Sequence, residues 1–213
     1  MSVSLSDRRT IVRLMLWAIP GALAVPRAAA ASEVSIPIEQ LNAGLLQAMR
    51  AGKTTPFQQR YDLLDPLVNR AFDLEFILEG AVGTRWTLLS PEQLAGLKAA
   101  FQRYSIATYV SNFDEFSGER FVLLPGSRSV GSNPVVQVKI VPGSPGQEVH
   151  VLDYVMRQTT GGWKAVDVMA DGSISQVAAQ QAEIHSLLAR GDVAGLLTRL
   201  QQKTAELSGG ALR

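Results

Sequence analysis

Gly161-Gly162-Trp163-Lys164-Ala165-Val166-Asp167-Val168-Met169-Ala170-Asp171-Gly172-Ser173-Ile174-Ser175 is the stretch whose reading decides the fold. A glycine pair opens a β-branched, aromatic-led run, Asp-Gly closes it, and a cap-like serine leads into a helical pattern. It therefore reads as the last strand of a sheet, followed by a helix. Three more alternating runs precede it: Glu119 to Leu124, Val135 to Val141 and Glu148 to Gln158. The connections Pro125 to Pro134, Pro142 to Gly146 and Thr159 to Gly162 are short and rich in Gly and Pro. Such loops suit antiparallel hairpins, because a parallel crossover needs roughly a dozen residues or more.

Upstream of residue 119 the apolar period is helical. After a short extended start at Val34 to Pro37, Glu39 to Arg50 carries Leu41, Leu45, Leu46 and Met49 on one stripe. A second helix starts near Pro56, is interrupted at Pro66 and resumes from Leu67 to Phe72. Asp73 can cap a third helix, Leu74 to Val82, stopped by Gly83. Ser90 with Gln93 makes a capping box and Pro91 takes the first helical position of a fourth, with Leu94, Leu97, Phe101, Tyr104 and Thr108 following at helical spacing as far as Phe113 or Phe116. Two closing helices, Ser175 to Arg190 and Asp192 to Leu207, come after the strands. The predicted class is α+β: a helical N-terminal half, a four-stranded antiparallel sheet and two closing C-terminal helices, with helices gathered on one side.

Residues 1–31 carry an address. Arg8, Arg9 and Arg13 form a basic region, Leu14 to Val25 an apolar run, and Ala28 to Ala31 a small-residue tract. This is the pattern of a cleavable export signal, cut near Ala30 or Ala31. A membrane span needs roughly 20 apolar residues, more than this run supplies. Arg8-Arg9 also admits a twin-arginine reading. Of the 20 Lys and Arg, four (Arg8, Arg9, Arg13, Arg27) precede Ala31, and of the 19 Asp and Glu only Asp7 does, so 16 basic and 18 acidic residues remain. A mildly acidic chain offers no basic footprint for nucleic acid. It has no cysteine, so neither a disulfide nor a lipid-modified cysteine is available, and residues 32–213 must hold together as a single domain through their core.

The catalytic inventory is thin. His150 and His185 have no neighbour at metal-ligand spacing, and Gly126 to Gly131 has Ser127 where a nucleophile elbow needs its first glycine. Gly80 to Gly83 is too short for a dinucleotide loop, and no ATP-binding motif or other cofactor signature occurs. Two carboxylates, Asp153 and Asp167, fall within strands. Either is a general base of an exported enzyme acting on a lipid-like substrate, or a structural acid paired with Arg85, Arg103 or Arg157.

Apolar residues have a definite layout. Gln137 and Lys139 mark one face of their strand and leave Val136, Val138 and Ile140 on the other; Asp153 and Arg157 turn Leu152, Tyr154 and Met156 inward. The last strand is ambiguous. With Lys164 outward, Asp167 faces inward beside Trp163 and Ala165; with Asp167 outward, Val166 and Val168 do. A filled core and a ligand cavity would produce the same alternation.

In its wording the opening stretch resembles the late strand-to-helix passage of the MlaC family, also called toluene-tolerance proteins. Phe72-Asp73-Leu74, Gly83-Thr84-Arg85-Trp86, Leu89-Ser90-Pro91-Glu92-Gln93 and Phe101-Gln102-Arg103-Tyr104 are similar to the family's helical half in the same order, over roughly Leu41 to Leu200. The resemblance implies a periplasmic carrier that holds a lipid in an apolar cavity between helices and sheet. Phe72, Phe76, Val82, Trp86, Phe101 and Tyr104 would line it from the helices; Val136, Val138, Ile140, Leu152, Tyr154, Met156, Val166 and Val168 would do so from the sheet. It also implies partners: an ABC-type inner-membrane system and an outer-membrane lipoprotein complex, which supply energy and destination. Asp171-Gly172-Ser173-Ile174-Ser175 and Tyr154-Val155-Met156-Arg157 are similar to the hopanoid-associated (HpnM-like) subgroup, so the resemblance leaves a phospholipid or a hopanoid as cargo.

Overall fold

The computed structural model describes residues 27–126, 128–171, 174–175, 182, 184 and 193–212. Arg27–Ala51 forms α1, whose stripe of Ile38, Leu41, Leu45 and Ala48 is buried. The extended start expected at 34–37 is helical instead, with Pro37 inside the helix. Burial of Ser35, Pro37 and Ile38 against the rest of the molecule outweighs the one backbone donor that proline removes. The same balance holds in α2, Phe57–Ala71, which runs through Pro66 without the expected interruption because Leu64, Val68 and Ala71 anchor both sides of it. Buried Arg60 ties α2 to its neighbours, donating from Nη1 to the Val110 carbonyl at 3.1 Å and from Nε to that of Thr55 at 3.3 Å.

Asp73 caps α3, Leu74–Val82, by accepting from the Phe76 amide at 3.2 Å, and Gly83 ends it at φ 65°, a left-handed value that a side chain would strain. A 3₁₀ segment, Gly83–Leu88, not foreseen from the sequence, leads to α4, Pro91–Asn112. The Ser90–Gln93 capping box is formed in both directions. The closing helix α5, Val193–Leu207, packs on α4. The other closing helix, expected over 175–190, lies outside the described residues apart from a few positions, as does His185.

The sheet is antiparallel and larger than the four strands expected. Its strands are β1 (Arg120–Leu123), β2 (Arg128–Val130), β3 (Asn133–Val141), β4 (His150–Thr159), β5 (Gly162–Ala170) and β6 (Ile174–Ser175), ordered β1-β3-β4-β5-β6 with β2 also paired to β3. β1 and β2 share one edge of β3: Leu123 lies opposite Val138 and Arg128 opposite Val135. They act as one edge strand broken near Pro125, so the sheet has five strand positions. β2 hides in what reads as a loop because three residues and a tight turn, with Gly131 at φ 58°, are too short to show a period. β6, with two residues, escapes the same way.

The ambiguity in β5 resolves into neither alternative. Val155 pairs with Asp167 but Met156 with Ala165, so Val166 is the extra residue of a β-bulge. Trp163, Ala165 and Val168 all face the helices, whereas Val166 joins Val135 and Val155 in a small cluster on the opposite face. One inserted residue restores the alternation for the second half of the strand. Phe72, at the α2–α3 junction, bridges Ala165 in parallel, and Lys164 Nζ donates to the Asn69 carbonyl at 2.8 Å at the C-terminal end of α2, where a cation meets the negative end of the helix dipole. No helix among the described residues is long and apolar enough to cross a membrane.

Candidate functional site

Between α3, α4 and the helix-facing side of the sheet lies a cavity of about 230 Å³. Asp73 sets the phase of α3 so that Leu74 and Ile77 reach it; β4 and β5 contribute Leu152, Val168 and Ala170. Helix α4 presents Phe101, Ser105, Thr108, Tyr109 and Asn112, residues three and four apart and so on one side of the helix. Ser105 is buried and Asn112 exposed, which makes the C-terminal end of α4 the mouth. A run of rings links sheet to helices: Tyr154 to Phe72 at 6.2 Å, Phe72 to Tyr109 at 5.4 Å, Tyr109 stacked on Phe113 at 6.0 Å, and Phe113 against Phe121 at 5.9 Å. Such tilted and offset arrangements are the favoured aromatic geometries.

Of the lining expected, the structure places Phe72, Phe101, Leu152 and Val168 around this cavity. Val136, Val138, Tyr154 and Met156 face the same side of the sheet but are packed into the main core, as is Val82 at the end of α3. Ile140 is half-buried near the end of β3. Val166 is turned away by the bulge. Tyr104 faces a groove against α5, with Lys203 Nζ 5.7 Å from its ring, and Trp86 lies in the 3₁₀ segment under Lys98 at 5.6 Å. Phe76 is an exposed ring with the Arg157 guanidinium 3.9 Å above it. Sequence reasoning missed Leu74, Ile77, Ser105, Thr108, Tyr109, Asn112, Phe113 and Ala170. The i, i+3, i+4, i+7 spacing of 105, 108, 109 and 112 is the signal that would have found the α4 wall.

Asp153 is fully buried on the face of the sheet opposite the cavity, held by Arg128 Nη1 and, at 2.8 Å, by Gln137 Nε2. Its partner is thus none of the three arginines expected. Arg157 instead pairs with Asp73 at 2.6 Å. Asp167 also points to the outer face, accepting from the Val168 amide at 2.7 Å. Among the described residues no cluster of His, Cys, Asp and Glu is arranged to hold a metal.

Two consequences are measurable. Asp73 caps α3 and binds Arg157, so Asp73→Ala removes a cap and a half-exposed ion pair together, about 2 kcal/mol after allowance for solvent screening. Thermal unfolding should fall by roughly 4–8 °C, and Asp73→Asn, which retains the cap, should recover about half. Equal losses in both variants would remove the cap from the account.

Burial raises the hydroxyl pKa of both Tyr109 and Tyr154, and Tyr109 is raised further by Tyr154 beside it. The unfolded chain releases these protons near pH 10 while the folded protein keeps them, so each tyrosine lowers stability as pH rises above about 10, by ~1.4 kcal/mol per pH unit, and has no effect below. Of the four tyrosines, these two should give no tyrosinate absorbance until the chain unfolds in alkali. Four ordinary titrations in folded protein would contradict the burial.

An α+β arrangement of helices packed on an antiparallel sheet in this order is a fold shared with known proteins. The family model described as "MlaC protein" matches residues 39–202, and the chain belongs to this family. A solved structure described as a phospholipid-binding protein from Ralstonia solanacearum, in complex with a phospholipid, is similar at TM-score 0.67 and 22% identity, covering 83% of this chain and 97% of that one. At that identity the likeness establishes the fold. No curated protein matches the chain.

Proposed function

We propose that the protein is a periplasmic carrier that encloses a lipid, phospholipid or hopanoid, and shuttles it between inner- and outer-membrane complexes without covalent change. The observation that carries this reading is the apolar cavity between α3, α4 and the sheet, in a chain of the MlaC family whose solved structural neighbour is described as phospholipid-binding. A tail of ~15 methylenes left in water costs roughly 12 kcal/mol at ~0.8 kcal/mol per CH₂. Crossing an aqueous space therefore demands enclosure, and non-directional burial supplies most of the affinity. The cavity of about 230 Å³ is below the ~300–1,000 Å³ common for small-molecule sites, so a whole lipid requires α3 and α4 to move away from the sheet. The ring contacts at the cavity, unlike covalent links, can slide apart.

Residues 1–31 act in this reading as the export signal, and N-terminal sequencing of periplasmic protein should begin near Ala31. Energy comes from an ABC-type inner-membrane partner, and delivery is to an outer-membrane complex. The wording at 171–175 and 154–157 supports a hopanoid as cargo; a tenfold preference for diacyl phospholipid, ~1.4 kcal/mol, in direct competition would withdraw the hopanoid and leave the carrier. Catalysis by a strand carboxylate gains no support, since Asp153 and Asp167 lie on the face away from the cavity. The test is organic extraction of protein purified from its native compartment, followed by mass spectrometry. Stoichiometric lipid is the expected result. Lipid-free protein that also takes up neither labelled phospholipid nor labelled hopanoid would end the proposal.

A further inference from the structure

Helix α4 covers two cavities with one side. Lys98, Gln102, Ser105, Tyr109 and Asn112 are spaced by three and four residues and so follow one another along that side. The last three border the apolar cavity, whereas Lys98 and Gln102 border a second one, of about 340 Å³, nearer the N-terminus of α4. Phe72 and Leu74, from the junction of α2 and α3, line both cavities and form the partition between them. Beyond the partition the lining turns polar, with Asn69 from the end of α2, Asp73 and Glu75 from the start of α3, and Lys164 from β5.

The charges that line this second cavity are matched except at one place. Asp73 is held by Arg157 at 2.6 Å and Glu75 by Lys98 at 2.5 Å. Asp65, which is not part of the lining, accepts from the amides of Asn69 and Gln102. Lys164 has no carboxylate partner among the described residues: its Nζ donates to the carbonyls of Asn69 at 2.8 Å and Phe72 at 3.5 Å, two contacts for a group with three N–H donors. The bond to Phe72 puts this ammonium at the partition itself, where a chain lying in the apolar cavity would reach its polar end. We infer that the polar cavity is the head-group subsite of the cargo and that Lys164 holds a singly charged phosphate there, with Phe72 and Leu74 standing where chain gives way to head. The inference rests on the carrier reading and deepens it by naming the class of cargo: a lipid whose apolar body ends in a phosphodiester. Such a group carries one negative charge for the one unmatched ammonium, and its free oxygens only accept, as an ammonium requires. A lipid that ends in a bare hydroxyl leaves that charge unanswered.

The test compares dioctanoyl phosphatidylglycerol with dioctanoylglycerol, which has the same chains and no phosphate, each displacing a fluorescent lipid from the delipidated protein. The phosphate-bearing lipid should bind about tenfold tighter, and Lys164→Met should abolish that preference while affinity for dioctanoylglycerol is retained. Because Lys164 also caps α2, a second measurement uses the unsubstituted chain: reductive methylation of Lys164, followed by mass spectrometry, should slow about tenfold with the phospholipid, but with neither dioctanoylglycerol nor inorganic phosphate at the same concentration. Equal affinity for the two lipids overturns the inference and leaves the carrier reading standing. A preference that survives in Lys164→Met, or a Lys164 that the phospholipid leaves unprotected, overturns the residue assignment. Protection by inorganic phosphate as strong as that by the phospholipid would make this a site for free anions and overturn its assignment to a head group. Failure to bind either lipid overturns the carrier reading, and this inference with it.

Discussion

An Ala170→Trp protein should fold and arrive without lipid. Ala170 is the last residue of β5, paired with Leu152, and its methyl group faces the cavity. An indole placed there projects into about 230 Å³ of space already bordered by Phe72, Phe101 and Phe113. The added ring buries apolar area of its own, so the fold gains contacts at the position where the proposed carrier would hold a lipid tail. Lipid recovered per protein molecule should fall at least about tenfold, ~1.4 kcal/mol or more of lost affinity. The same bulk added at Leu88, which is 79% exposed on the 3₁₀ segment, should leave lipid content unchanged. Undiminished lipid in the Ala170 variant, with its melting temperature intact, would move the binding site elsewhere.

That contrast between a wall and a core is what the sequence could not display. Helix phases were legible: Asp73 and the Ser90–Gln93 box fixed α3 and α4 because capping is local chemistry within four residues. So was the inward face of β3 and β4, where Gln137 and Asp153 stand opposite each other on the outer side. The bulge at Val166 was not, since a bulge is set by pairing to a partner strand and leaves an ordinary run of residues behind it. Pro37 and Pro66 misled for the complementary reason: a local penalty was outweighed by burial that only the assembled molecule supplies.

For the site, alternation identified which residues face the helices but not where helices and sheet part company. Val138 and Leu152 are opposite one another on the same face, yet the first is sealed in the core and the second borders the cavity. Leu152 shares the border of the cavity with Ser105 and Thr108 of α4. Ser105 and Thr108 are small and leave space where larger residues would have closed it. Polar residues on a buried side of a helix read as interruptions of an apolar stripe, which is why that wall went unrecognised.

Phe101→Ala should produce the largest loss of stability, and lipid should return part of it. Phe101 is 1% exposed, belongs to the main core and also borders the cavity. Truncation removes its transfer free energy and joins the vacated volume to an existing space that the neighbours already fail to fill, so relaxation is limited. The expected cost is about 3–5 kcal/mol, seen as a lower denaturant midpoint in lipid-free protein. An apolar space stays available to apolar guests. Lipid that enters the enlarged cavity binds the folded chain alone and raises stability with concentration, by ~2.7 kcal/mol at one hundred times its Kd. Leu64→Ala supplies the comparison, because Leu64 on α2 is fully buried and does not border the cavity. Its loss, about 2–5 kcal/mol, enlarges no lipid space, so added lipid should restore no more stability there than in the unsubstituted protein. Equal recovery in the two variants would mean that lipid stabilises the fold without filling the space beside Phe101, and the cavity between α4 and the sheet would lose its claim to hold the tails.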